Sequence, residues 1–130
     1  MCSSDLIQGV IDQNNDPTIQ LVVLGQDRKK RSIDVLIDTG FTGFLTLPAA
    51  VLVSLNLHPY RREEGIIGDG STCIFEIYRG FIEWDGNVRS IDINESETIP
   101  LIGMSLLYGY RMELDIIEGG TITIRSLDSH

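Results

Sequence analysis

Asp38, Thr39 and Gly40 stand together at the end of an apolar run, Ile33 to Ile37, that only Asp34 interrupts. A carboxylate delivered by a strand into a tight turn is placed to accept or donate a proton, so acid–base work is the chemistry on offer. By itself the tripeptide reads as a plain turn, in which Asp accepts backbone N–H bonds and Gly takes a positive φ. Asp34 is the nearest rival carboxylate, since even spacing in a strand puts it on the same face as Asp38. No turn residues accompany it, and it ranks below Asp38. Other chemistries lack their parts. Cys2 and Cys73 form neither a disulfide framework nor a metal-binding spacing, and His58 and His130 are too few for an ordinary zinc site. No metal and no cofactor are expected.

Composition narrows the partners. The chain has 130 residues, about one ordinary domain, and a hydrophobic fraction of 42% that predicts a packed core. Ten Lys and Arg face 19 Asp and Glu, a formal charge of −9, which argues against a nucleic-acid partner. The basic cluster Arg28-Lys29-Lys30-Arg31 reads as a charged hairpin tip. No segment approaches the roughly 20 apolar residues that cross a bilayer, and the N-terminus has no apolar signal core. The expectation is one cytoplasmic domain over residues 1–130, without membrane contact, residues 1–5 forming a disordered tail.

Short β-branched runs between turn signals predict an all-β domain. Leu6 to Ile11, Thr18 to Leu24 and Ser32 to Ile37 read as strands, with Asn14-Asn15-Asp16-Pro17 and Gly25-Gln26-Asp27 as turns. Phe44 to Leu47 is a further strand. Pro48, suited to a first helical turn, opens one short helix through Ala49, Val51, Leu52 and Leu55 that stops before Pro59. Ile66-Ile67 and Thr72 to Tyr78 flank Gly68-Asp69-Gly70-Ser71, a hairpin turn, and Trp84-Asp85-Gly86-Asn87 and Glu118-Gly119-Gly120 are two more. Trp84 reads as a half-buried strand aromatic, Cys73 as a small core residue, and His58 as a loop residue. Thr121 to Ile124, alternating and uncovered downstream, reads as an edge open to a partner strand.

Three features in order carry a resemblance. Val35-Leu36-Ile37-Asp38-Thr39-Gly40-Phe41-Thr42-Gly43 resembles the active-site loop of retropepsin-like aspartic proteases. Ile99-Pro100-Leu101-Ile102-Gly103-Met104-Ser105-Leu106-Leu107 is similar to their second signature, two apolar residues and a glycine before a short helix. Gly68-Asp69-Gly70 lies between them, where such proteases place the flap hairpin. The likeness runs from Leu6 to Ile124 and is greatest to the small single-domain bacterial and archaeal members. It implies a closed, barrel-like acid-protease fold with one or two short helices and a flap.

The resemblance also implies the chemistry of an endopeptidase, a hydrolase acting on peptide or protein substrates. Two carboxylates at close range cannot both ionise easily, so one retains a proton, a property that belongs to the enzyme class. One Asp activates water while the other polarises the scissile carbonyl. With a single Asp-Thr-Gly in the chain, the second Asp38 must come from the other subunit of a two-fold homodimer. Thr39 would bond across to the partner loop, Gly40 would allow close backbone approach, and Gly103 would give space beneath the loop. Phe41, Thr42, Gly68, Asp69 and Gly70 are the expected substrate-binding residues, although Asp69 reads first as a turn former. Phe41 departs from the family, which has a small or hydroxyl residue there, and its ring is expected to narrow the cleft. A dimeric binding or scaffold domain on the same fold, without catalysis, is the alternative.

Overall fold

Apolar–polar alternation becomes strands wherever one face of the segment meets the core. A computed structural model describes residues 6–128, so the expected tail, residues 1–5, lies outside them, as do Cys2 and His130. The elements are β1 (Ile7–Ile11), β2 (Pro17–Leu24), β3 (Lys30–Ile37), β4 (Leu45–Leu47), helix α1 (Ala49–Ser54), β5 (Pro59–Ile66), β6 (Thr72–Trp84), β7 (Asn87–Glu95), β8 (Leu101–Ile102), helix α2 (Met104–Leu107), β9 (Tyr110–Leu114) and β10 (Thr121–Ser126). Ile19, Leu21 and Val23 of β2, Val35 and Ile37 of β3, Ile91 and Ile93 of β7, and Ile122 and Ile124 of β10 all turn into one buried cluster. Their period of two is the strand period, and the β-branched shapes of all but Leu21 suit a pleated, half-buried surface.

The sheet runs β5-β6-β7-β4-β8-β3-β2-β1-β10-β9, and β2 also pairs with β6. That extra pairing, Val22 with Glu83 to Leu24 with Phe81, closes six of the strands partly into a ring. The all-β, barrel-like expectation therefore holds, with its two short helices. Pro48 stands one position outside α1, as its N-cap, and Asn56, at φ 55°, turns the chain out of the helix. Leu52, Leu55 and Leu57 anchor this segment in the core. The turn after β6 has positive φ at both Asp85 and Gly86, the geometry of a tight two-residue hairpin. Arg28 occupies the turn between β2 and β3, as a charged hairpin tip should.

Three expectations need correction. Residues 121–124 form no edge: β10 lies between β1 and β9, with Ile124 opposite both Ile7 and Met112, so the edge falls to β9. Alternation shows that a segment is a strand but not which strands flank it. Cys73 is half-exposed on the β5–β6 ribbon and outside the core, because that ribbon projects past the end of β7. Trp84 is fully buried, at 4% exposure, and packs edge-on to Tyr110 with ring centroids 5.8 Å apart.

Candidate active site

Strand β3 carries the chain to Asp38 with its direction fixed by β8. The Leu36 amide donates to the carbonyl of Pro100 at 2.9 Å, and the Asp38 amide donates to that of Ile102 at 3.0 Å. These bonds belong to a parallel pairing in which Ile37 opposes Ile102. Thr46 of β4, buried within an apolar strand, accepts from the Leu101 amide through its hydroxyl at 2.9 Å and so fixes β8 in turn. This residue escaped the sequence reading, although a threonine inside the run Phe44 to Leu47 was its visible trace.

Beyond Asp38 the chain folds back on its own carboxylate. Asp38 Oδ1 accepts from the Gly40 amide at 2.9 Å, and the Asp38 carbonyl accepts from the Phe41 amide at 3.1 Å. The loop then settles on α2. A helix leaves its first amides unpaired, and here loop carbonyls take them: Met104 N–H donates to Phe41 at 2.8 Å and Ser105 N–H to Gly43 at 3.1 Å. The Ser105 hydroxyl donates to the carbonyl of Thr42. A Cβ on Gly103 would lie 2.4 Å from the Phe41 carbonyl oxygen and 2.6 Å from that of Gly43, so the contact requires glycine. The space beneath the loop is thus the one the second signature was expected to leave.

The Phe41 ring does not stand free. Positions for a Cβ on Gly43 and on Gly103 lie 2.6 Å and 2.5 Å from ring atoms, so the ring packs against both glycines, half-buried. Asp38 is half-buried, while Thr39, Gly40 and Thr42 are exposed. Among the described residues the Thr39 hydroxyl bonds to none. Asp34 and Leu36, on the outward face of β3 that leads to Asp38, help to line a cleft of about 630 Å³ together with Val10, Asp16, Gln20 and Ile99. Asp38 itself is not in the wall of that cleft.

Gly68, Asp69 and Gly70 form the tip of the β5–β6 ribbon, separate from the Asp38 loop. Gly70 has φ +88°, and a Cβ on either glycine would meet nothing within 4 Å. Asp69 Oδ1 accepts from the Ser71 amide at 2.9 Å and from its hydroxyl at 2.6 Å. Those bonds, the hydroxyl's first, hold the Asp69 carboxyl below the usual range. At the ribbon's base Asp92 gathers Tyr60, Arg61 and Arg79: Tyr60 Oη donates to Oδ1 at 2.6 Å and Arg61 reaches Oδ2 at 2.7 Å. Arg61 and Arg79 also lie over the Tyr60 ring. No signal in the sequence joined these four residues, because they meet across three strands. Among the described residues, no group of three His, Cys, Asp or Glu side chains is arranged to hold a metal ion.

Comparison with solved structures shows which fold carries this arrangement. The chain is similar to a retropepsin-like aspartic protease from Rickettsia conorii, with a TM-score of 0.58 at 16% identity over 93% of this chain and 90% of that one. The fold is retropepsin-like. A second such structure, the EIAV protease complexed with the inhibitor HBY-793, matches with a TM-score of 0.51 at 21% identity, covering 71% of this chain and 85% of that one. No protein-family model and no curated protein matches the sequence. Both solved proteins are named as proteases. In this retropepsin-like chain the loop of Asp38, the strand β8 and the helix α2 form one hydrogen-bonded unit, which the likeness of fold alone would not require.

Proposed function

We propose that the chain is one subunit of a homodimeric aspartic endopeptidase whose single active site is built from Asp38 of each copy. The observation that carries this is the cradle of Asp38. On a retropepsin-like fold, the one Asp-Thr-Gly of the chain is held by backbone bonds to β8 and α2, with its carboxylate half-open and the Thr39 hydroxyl unengaged among the described residues. Two such loops facing across a two-fold axis would bring two carboxylates to one water. The ionised Asp38 takes a proton from that water as its oxygen attacks the scissile carbonyl carbon. The protonated Asp38 hydrogen-bonds the carbonyl oxygen, which gains charge. Collapse of the tetrahedral species breaks the C–N bond, and the leaving amine receives a proton from the dyad. The two-fold axis makes the two copies equivalent, so neither has a fixed role before substrate binds.

In this reading the β5–β6 ribbon covers the substrate, and the cleft beside Asp34 and Leu36 gives room to residues flanking the scissile bond. Phe41 shapes the loop from below, by packing on Gly43 and Gly103. The test is Asp38→Asn, nearly isosteric and unable to serve as the base. Cleavage of a denatured protein mixture should vanish while dimerisation persists. Where equal amounts of mutant and wild-type chains exchange fully and pair at random, about a quarter of the dimers keep both carboxylates, and activity should fall to that fraction. Retention of half the activity would mean two independent sites. A wild-type dimer that binds a statine-type inhibitor but cleaves nothing would favour the scaffold alternative.

A further inference from the structure

The strand that begins the ribbon is tied to a strand it never pairs with. Among the described residues β5 pairs only with β6, and β6 in turn with β7, yet Tyr60 and Arg61 of β5 both reach Asp92 of β7. Asp92 stands opposite Arg79 of β6 and between the buried Ile91 and Ile93, so its carboxylate lies on the outer face of the sheet. Consecutive residues of a regular strand point to opposite faces, and only one of Tyr60 and Arg61 could then meet it. A bulge resolves the conflict. Pro59 opposes Tyr78 and Arg61 opposes Ile77, which leaves Tyr60 as an extra residue without a counterpart.

The hydrogen bonds close on the Tyr60 hydroxyl. It donates its one proton to Asp92 Oδ1 and accepts from Arg61 Nε at 3.1 Å and Arg79 Nη2 at 3.0 Å, which uses all of its capacity. Arg79 also donates through Nε to Asp92 Oδ1 at 3.1 Å and through Nη1 to Ser90 Oγ at 3.2 Å, so the knot holds β7 at a second point. It sits where the ribbon leaves the ring, two residues along β6 from Ile77, at which the pairing with β7 ends. We propose that Asp92 is a positioning residue: through the bulged Tyr60 and its neighbour Arg61 it sets the angle of the β5–β6 ribbon, and so how the tip approaches a substrate. A bulge bends and twists its strand, and a carboxylate shared by three donors on two other strands holds that bend in one setting. The inference rests on the peptidase reading above, in which the ribbon covers the substrate.

Two conservative variants provide the test. Asp92→Asn keeps the shape of the side chain and loses its charge, while Tyr60→Phe keeps the ring and loses the hydroxyl. Hydrogen exchange at neutral pH should find the paired ribbon amides in residues 61–66 and 72–77 faster in Asp92→Asn, by about tenfold more than any change in β2 and β3. Tyr60→Phe should do the same by a smaller margin. Against an oligopeptide that the wild type cleaves, KM should rise severalfold in both variants while kcat changes less, because neither change touches the Asp38 loop. Ribbon amides that speed up no more than those of β2 and β3 would show that Asp92 only stabilises the fold. Faster ribbon amides with an unchanged KM would show that the hinge does not serve the site, and either result overturns the proposal. A wild type that cleaves nothing removes the peptidase reading instead, and the exchange comparison then still decides whether Asp92 holds the ribbon.

Discussion

Gly103 and Phe41 touch so closely that a single methyl group at position 103 would stand 2.4 Å from the Phe41 carbonyl oxygen and 2.5 Å from its ring. Neither obstacle is the far end of a flexible chain, so relief requires the loop to shift. Gly103→Ala should lower stability by about 1–3 kcal/mol, the usual effect of overpacking, measured as a fall in the denaturant midpoint at unchanged slope. Gly40→Ala is the contrast. Its Cβ would meet only Asp38 Oδ1, at 3.2 Å, so the fold should survive while turnover falls.

Asp92 should make the ribbon's base sensitive to acid. Burial alone would raise its carboxyl, but hydrogen bonds from Tyr60 and Arg61 and the charges of Arg79 and Arg61 outweigh that and hold it below its ordinary 3.8. A folded-state value below the unfolded one stabilises fully above the ordinary carboxylate range and is lost as pH falls through the lowered value. Asp92→Asn should therefore cost roughly 1 kcal/mol near neutrality, and the difference from wild type should close below about pH 4. Denaturant melts at pH 7 and pH 3 check this, and an equal difference at both would contradict it.

Tyr110 should do the reverse at high pH. Burial, followed by its hydrogen bond to Asp85 Oδ2 at 2.8 Å, pushes the Tyr110 hydroxyl up to about 12. Its contribution is complete below the ordinary value of 10 and is lost as pH rises through about 12. Tyr110→Phe would take from one oxygen of Asp85 the only partner it has among the described residues, where the other oxygen is buried without one. The expected loss is about 1–3 kcal/mol at neutral pH, the penalty for an unsatisfied buried acceptor, with the gap narrowing in strong alkali.

The ribbon tip should exchange its amide hydrogens far faster than the ring. From Arg62 with Glu76 to Ile66 with Thr72, β5 and β6 pair with each other, while β6 joins β7 only from Ile77 onward. A two-stranded ribbon with nothing behind it is marginal in water. Hydrogen exchange should find residues 67–71 nearly unprotected and β2 and β3 protected to global unfolding. Equal protection at both would show that the ribbon does not open.

Much of this was legible because the informative signals are local. Turn chemistry at Asp85-Gly86 and Gly68 to Ser71, the apolar run into Asp38 and the glycine before α2 each sit within a few residues of what they determine. Strand β5 was hidden for a physical reason: it is exposed on both faces, so Arg61-Arg62-Glu63-Glu64 has no alternation to betray it. The place of β10 was hidden for another. Its neighbours β1 and β9 are set by contacts between distant parts of the chain, and the same alternation serves an edge or an interior strand. The packing of Phe41 on two glycines needed the folded loop, because nothing in its neighbouring residues says which way a ring will turn.

Strand β6 serves two structures at once. Its last eight residues belong to the ring and its first five to the ribbon. Residues could be added in pairs between Ile66 and Thr72 without disturbing any ring register, whereas a single insertion after Ile77 would turn every following side chain to the wrong face. The ribbon tip is therefore free to drift in length and sequence while the framework stays fixed, and under the proposed peptidase reading related chains that prefer different peptides should diverge first at this tip.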